Sequence, residues 1–138
     1  MQIIIFSPGD KPKGAEKTLI DDYIKRIDRN FKFELDTGKA EGKLRSSDFV
    51  IVLDEKGQRF DNLSFAGRLN NVMSSGGADR VVFVIGDAYG VSEETRKRAD
   101  LIWSFSDQVF PHKLFRVMLV EQIYRSLEII KGSPYHHL

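Results

Sequence analysis

Phe49-Val50-Ile51-Val52-Leu53 and Val81-Val82-Phe83-Val84-Ile85 are two unbroken apolar runs, and they decide the class of fold. A strand with one wet face alternates apolar and polar residues; a run with no polar position is a strand covered on both faces, as in a parallel sheet under helices. Between the two runs, residues 62–75 place Phe65, Ala66, Leu69, Val72 and Met73 at helical spacing, with Gly76-Gly77 beyond the end. Toward the N-terminus, residues 3–6 read as a short buried strand closed by Ser7-Pro8-Gly9-Asp10. A helix over residues 15–28 follows, carrying Leu19, Ile20, Tyr23, Ile24 and Ile27 on one stripe, and then Phe31, Phe33 and Leu35 alternate as a half-buried strand. Residues 36–47 hold Gly38, Gly42 and several charges and read as a loop. Toward the C-terminus, Ser92 is placed to cap a helix whose first turn holds Glu93 and Glu94. Residues 101–105 form another strand, and residues 112–131 a long helix ended by Gly132. Strands alternating with helices predict an α/β fold with a parallel sheet, covered by helices on both faces, and 138 residues suit a single domain, 1–138.

Composition narrows the chemistry. With no cysteine there are no disulfides and no thiolate metal sites, and three histidines without HExxH or comparable spacing predict no metal. The opening apolar run is too short and lacks the basic flank of a signal peptide, and no stretch approaches the ~20 apolar residues of a membrane span. A cytoplasmic protein without a membrane partner is therefore expected. The net charge of +1 does not mark a nucleic-acid binder, although a local basic face is compatible with it.

In open α/β sheets ligands bind beyond the carboxyl ends of the strands. Three segments hold such positions: Asp54-Glu55-Lys56-Gly57-Gln58, Gly86-Asp87-Ala88-Tyr89-Gly90, and Ser106-Asp107-Gln108-Val109-Phe110-Pro111-His112. They match neither GxGxxG nor GxxxxGK[ST], and Ser104 and Ser106 lack a GxSxG elbow, so dinucleotide, P-loop and hydrolase readings lose support. Ionisable residues gather late in the chain: His112, Arg116, Glu121, Arg125, His136 and His137. Glu121 and Arg125 are four apart on a helix, the spacing of a plain surface ion pair as well as of a functional one.

Taken in order, VLDEKG, FVIGDAYG and SFSDQVFPHKLFRVMLVEQIYRSLEIIKGSPYHHL closely resemble the RlmH family of SPOUT methyltransferases. The likeness is strong from residue 49 onward and weaker, though in the same order, through Phe33. It implies a parallel-sheet α/β fold with a C-terminal trefoil knot. It further implies transfer of a methyl group from S-adenosylmethionine to N3 of a pseudouridine in large-subunit ribosomal RNA, by a homodimer acting on the ribosome. By this resemblance the cofactor sits among Leu53, Gly86 and the stretch Phe105, Ser106, Asp107, Gln108, Val109 and Phe110. N3 must lose a proton, and a histidine suits that role near neutral pH. His136 is the first candidate base and His112 the second; Arg125 stabilises developing negative charge or holds a phosphate, Glu121 orients Arg125, and Tyr135 stacks on or hydrogen-bonds to a base. The last helix also carries more apolar residues than one core-facing stripe needs, including Leu114, Phe115, Val117 and Met118, which suggests burial against a second subunit.

The chain departs from the family pattern in three places. Asp87 stands where the family has the second of two adjacent glycines, a substitution that implies strain if the position needs positive φ. The segment between the second strand and VLD is shorter than the charged helical segment usual there. The turn after the first strand is changed to Ser7-Pro8-Gly9-Asp10. Two alternatives follow from these changes: a SPOUT methyltransferase acting on another RNA such as tRNA, or a non-catalytic knotted RNA-binding homologue.

Overall fold

The computed structural model describes residues 1–27, 29 and 31–137. Its strands are β1 (Gln2–Phe6), β2 (Lys32–Asp36), β3 (Asp48–Arg59), β4 (Arg80–Ile85) and β5 (Leu101–Ser104); its helices are α1 (Gly14–Ile27), α2 (Asn62–Ser74), α3 (Glu93–Arg98) and α4 (His112–Lys131). The five strands form one all-parallel sheet in the order β2-β1-β4-β3-β5. The two apolar runs lie side by side at its centre, with Phe49 opposite Val81 and Leu53 opposite Ile85. The helix expected over residues 15–28 is α1; Asp28 lies outside the described residues.

Alternation along each strand sorts the core into two layers. Ile3, Ile5, Ile51, Leu53, Val81, Phe83 and Trp103 face α1, α2 and α4, where Ile20, Phe65, Leu69, Leu119 and Ile123 are buried against them. Ile4, Phe6, Val50, Val52, Val82 and Val84 face the other way. On that second face the expected helical cover is reduced to one short helix. The face is covered by the turn-rich segment 37–47, through Ala40 and Leu44, and by Val91 and Ala99 around the six-residue α3. Eleven residues joining one edge strand to an interior one thus bury much of the face without a helix of their own, and the short α3 covers the rest.

β3 also runs past its apolar core. Residues 54–58, expected as a loop, continue the strand through an irregularity: Leu53 and Gln58 both register against Trp103. Gly57 permits this, because a Cβ there would lie 2.6 Å from the Ile102 carbonyl oxygen. Two caps set the helix starts: Asp61 accepts from the Ser64 N–H at 2.7 Å and Ser92 from the Thr95 N–H at 3.2 Å. At the amino ends of the central strands, Arg80 grips Asp48 with two bonds of 2.9 and 2.8 Å, both side chains buried. Burial alone would raise the Asp48 pKa, but the hydrogen bonds and charge of Arg80, with the Arg45 N–H, hold it below the usual carboxylate range.

Candidate active site

Parallel strands end together, so their following loops converge on one rim. Here the turns after β1, β4 and β5, with the continuation of β3 through Asp54 and Glu55, enclose a cavity of about 610 Å³, within the usual size of a small-molecule site. Leu53, Ile85 and Trp103 form its floor from three adjacent strands, and Phe105, Phe110 and Phe115 wall one side. These last three rings form a chain, with centroids 4.9 Å apart for Phe105–Phe115 and 6.2 Å for Phe110–Phe115. An apolar slot with backbone edges and the polar side chains of Ser106 and Gln108 beside it fits a planar heterocycle attached to a sugar.

The Gly86–Gly90 turn is a second wall, and it is tight. A Cβ on Gly86 would lie 2.6 Å from the Gly90 carbonyl carbon, and Gly90 itself adopts φ +84°. The turn is closed by the Gly90 N–H on the Asp87 carbonyl at 2.9 Å and by the Tyr89 N–H on Asp87 Oδ1 at 2.8 Å. Among the described residues no non-glycine has positive φ, so Asp87 sits without the strain its substitution implied. Its carboxylate meets Lys39 at 3.8 Å.

The cavity's third side joins the start of α4 to the turn after β1. Arg116 is only 2% exposed. It donates to Ser7 Oγ at 2.7 Å, to the Ser7 carbonyl at 3.1 Å and to the Asp10 carbonyl at 2.6 Å, with Glu16 at 3.8 Å as counter-charge. His112 borders the cavity, its Nε2 lying 3.2 Å from Ser7 Oγ. Burial, reinforced by the Arg116 charge, pushes its pKa below the usual imidazole value, so the ring is neutral near pH 7.

A separate polar cluster lies at the other end of α4. Gly132, at φ +80°, ends the helix in a left-handed turn and sends the tail back along it. Tyr135 then packs edge-on against Tyr124 at 4.7 Å and donates its hydroxyl to Glu121 at 3.2 Å. Burial, with the Tyr23 hydroxyl and the Glu121 carboxylate beside it, raises the Tyr135 pKa. Glu121 also accepts from Arg125 at 2.9 and 2.7 Å, and Arg125 Nη1 reaches His136 Nδ1 at 2.9 Å. The Glu121–Arg125 pair is thus the inner half of a network that holds the tail.

The residues expected at the site therefore fall into two places. Leu53, Gly86, Phe105, Ser106, Gln108, Val109 and Phe110 line the cavity together with His112. Asp107 does not; it points outward and pairs with Arg59. Glu121, Arg125, Tyr135 and His136 form the second cluster. His112 and Arg125 are 13 residues apart on α4, about 20 Å along the axis at ~1.5 Å per residue. Sequence reasoning passed over Ser7, Pro8, Gly9 and Trp103 as site residues. The rule that selected the other loops applies equally to the turn after β1, and would have found the first three.

The chain matches, over residues 1–136, the family described as "Predicted SPOUT methyltransferase". It is 36% identical over 157 aligned positions to the ribosomal RNA large subunit methyltransferase H of Christiangramia forsetii, with 99% of each chain covered. It is also 36% identical to the protein of the same name from a Ruegeria species, with all of both chains covered. The namesake from Bdellovibrio bacteriovorus is 39% identical over 113 positions, covering 82% of this chain and 72% of that one.

Proposed function

Since the chain belongs to the RlmH family of SPOUT methyltransferases, we propose that it methylates N3 of a pseudouridine in large-subunit ribosomal RNA, using S-adenosylmethionine as donor. The observation that carries this reading is the cavity at the carboxyl ends of the strands, walled by the Gly86–Gly90 turn and the 105–110 stretch. Its phenylalanines and Trp103 cover an adenine face, and the loop backbone meets the adenine edge and ribose. Glu55 at its border, which has no ion pair among the described residues, offers negative charge to a sulfonium, whereas Asp54 and Asp87 are paired with Arg96 and Lys39. When bound, the cofactor supplies an electrophilic methyl carbon.

The tail cluster supports a homodimer. Arg125 and His136 lie too far along α4 to reach their own chain's cavity, whereas a partner packed across α4 can bring its tail to that mouth. The groove between α1, α4 and the start of α2, lined by Leu19, Tyr23, Val117 and Met118, supplies an apolar contact face and borders the cavity through Phe105 and Phe110. At the shared site, a guanidinium has only donors, so His136 Nδ1 accepts and the neutral ring carries its proton on Nε2. His136 then donates to a carbonyl oxygen of the deprotonated base, with Arg125 adding charge, and His112, neutral and at the cavity border, takes the N3 proton once its contact with Ser7 is exchanged for the substrate. Tyr135 and Glu121 hold these groups in place.

The same reading includes a trefoil knot and a cytoplasmic enzyme. From β5 at the sheet edge the chain recrosses β3 and β4 to bring His112 against Ser7 after β1, the crossing that a knotted C-terminus requires. Titration calorimetry with the cofactor, followed by methyl transfer to unmodified ribosomes and nucleoside analysis, tests the proposal. Micromolar binding, about −8 kcal/mol, and an N3-methylpseudouridine product are expected. A methylated nucleoside in tRNA instead of ribosomal RNA would transfer the reading to the other substrate, and no binding by a folded dimer would remove it.

A further inference from the structure

The net charge of +1 leaves open where a polyanion would be held. One region answers this by its construction. The turn after β1 is unusually well fixed for a surface loop. Besides its three bonds from buried Arg116, the Ser7 N–H donates to the Asp36 carbonyl at 2.8 Å and the Gly9 N–H to the Thr37 carbonyl at 3.2 Å. Burying a guanidinium is costly unless every donor is used, and here its donors are spent on holding residues 7–10 against the start of α4. Lys11 and Lys13 continue directly from that turn, and Lys113 follows His112, which touches it.

All three lysines are exposed, and among the described residues none has a carboxylate partner. Several surface cations are neutralised locally, as in Lys17–Asp21, Arg26–Asp22 and Lys43–Asp36, while others such as Lys25 and Lys32 are, among the described residues, unpaired like these three. What sets Lys11, Lys13 and Lys113 apart is that they flank the braced turn beside the cavity. Asp10 is the one acid between residues 7 and 13, and its carbonyl, not its carboxylate, is what Arg116 holds. On the Gly86–Gly90 side the acids Glu41 and Asp87 outnumber Lys39.

We propose that Lys11, Lys13 and Lys113 form a phosphate-gripping rim that holds the RNA backbone next to the target nucleotide at the cavity mouth. The inference rests on the RNA methyltransferase reading and adds the direction from which the strand arrives. Flexible ammonium groups contact phosphates without reading sequence, so the rim positions the strand while the cavity and the tail cluster select the base. Its rigid base keeps the three charges in register with the cavity.

The test is binding of a large-subunit ribosomal RNA hairpin, followed by fluorescence anisotropy over a range of salt, to the wild-type protein and to a K11Q/K13Q/K113Q variant. Each phosphate contact contributes roughly 0.7–0.9 to the slope of log affinity against log salt, so the variant's slope should be shallower by about 2 to 3. Its KM for RNA should rise at least about tenfold at physiological salt, with unchanged kcat and cofactor affinity. A K25Q/K32Q control, at the other end of the sheet, should keep the wild-type slope. An unchanged slope in the folded, cofactor-binding triple variant overturns the rim alone. A wild-type protein that binds the cofactor but no RNA at low salt overturns the rim and the RNA reading together.

Discussion

Arg125 Nη1 lies 2.9 Å from Nδ1 of His136, while the rest of the guanidinium is engaged by Glu121. Because arginine cannot accept, this contact assigns the imidazole proton to Nε2 and makes the exposed edge of His136 a donor. Substitution by glutamine, whose amide N–H can stand in for Nε2–H, should keep most of kcat, whereas His136→Ala should lose about 100- to 1,000-fold, as when one charge-stabilising donor is removed. Single-turnover rates at saturating cofactor distinguish the two; equal loss in both variants would reject the donor role.

Gly86→Ala places a methyl group 2.6 Å from the Gly90 carbonyl carbon. Backbone cannot yield there as a flexible side chain would, so the turn must open and the cavity wall moves. Calorimetry should show cofactor affinity reduced at least about tenfold, a cost above ~1.4 kcal/mol, with the sheet still folded by circular dichroism. Asp87→Gly should bind the cofactor, because Asp87 has ordinary negative φ.

His112 ties stability to pH. Its folded pKa is depressed below the ordinary imidazole value by burial and by Arg116, so the unfolded chain binds its proton more readily. Stability from this group is complete above about pH 6.5 and is lost as pH falls through the lower folded value. Melting curves from pH 8 to 5 should show a fall in Tm beginning below about 6.5, and His112→Gln should flatten it. An identical fall in the variant would assign the effect to other groups.

Arg80 and Asp48 sit at the far ends of the strands from the cavity, with 6% and 0% of their side chains exposed. Arg80→Ala leaves a buried carboxylate alone and should cost about 3–5 kcal/mol in chemical denaturation. Replacing both by apolar residues of similar volume should cost much less. Cofactor affinity of either variant, measured well below its Tm, should match wild type.

Much of this was legible in the chain. The doubly apolar runs at β3 and β4 were readable because burial on both faces leaves no polar position, and α4 because Pro111 and Gly132 bracket it. The continuation of β3 beyond Leu53 was not, since Asp54-Glu55-Lys56 is charged and its strand state depends on β5 passing close to Gly57. Tertiary contact overrode local propensity there. The wall made by Ser7 and Gly9 was hidden for a different reason: Arg116 reads as a charge interrupting an apolar helix, and nothing local says that its partners lie 109 residues upstream. The separation of the two polar clusters follows directly from the helix rise between His112 and Arg125, yet motif order alone made them look like one site.

The length of α4 has a genetic consequence. If each reaction centre takes its cavity from one chain and its tail from another, two differently damaged chains can repair each other. A Gly86→Ala chain, at a cofactor concentration too low to fill its altered cavity, mixed with a tail-dead His136→Ala chain yields mixed pairs in which one centre inherits both faults and the other inherits none. With random pairing of equal amounts, half the pairs are mixed, and about a quarter of all centres should work. Two inactive preparations would then make an active one, and loss of function in such a protein would be recessive between alleles in a way that no monomeric enzyme permits.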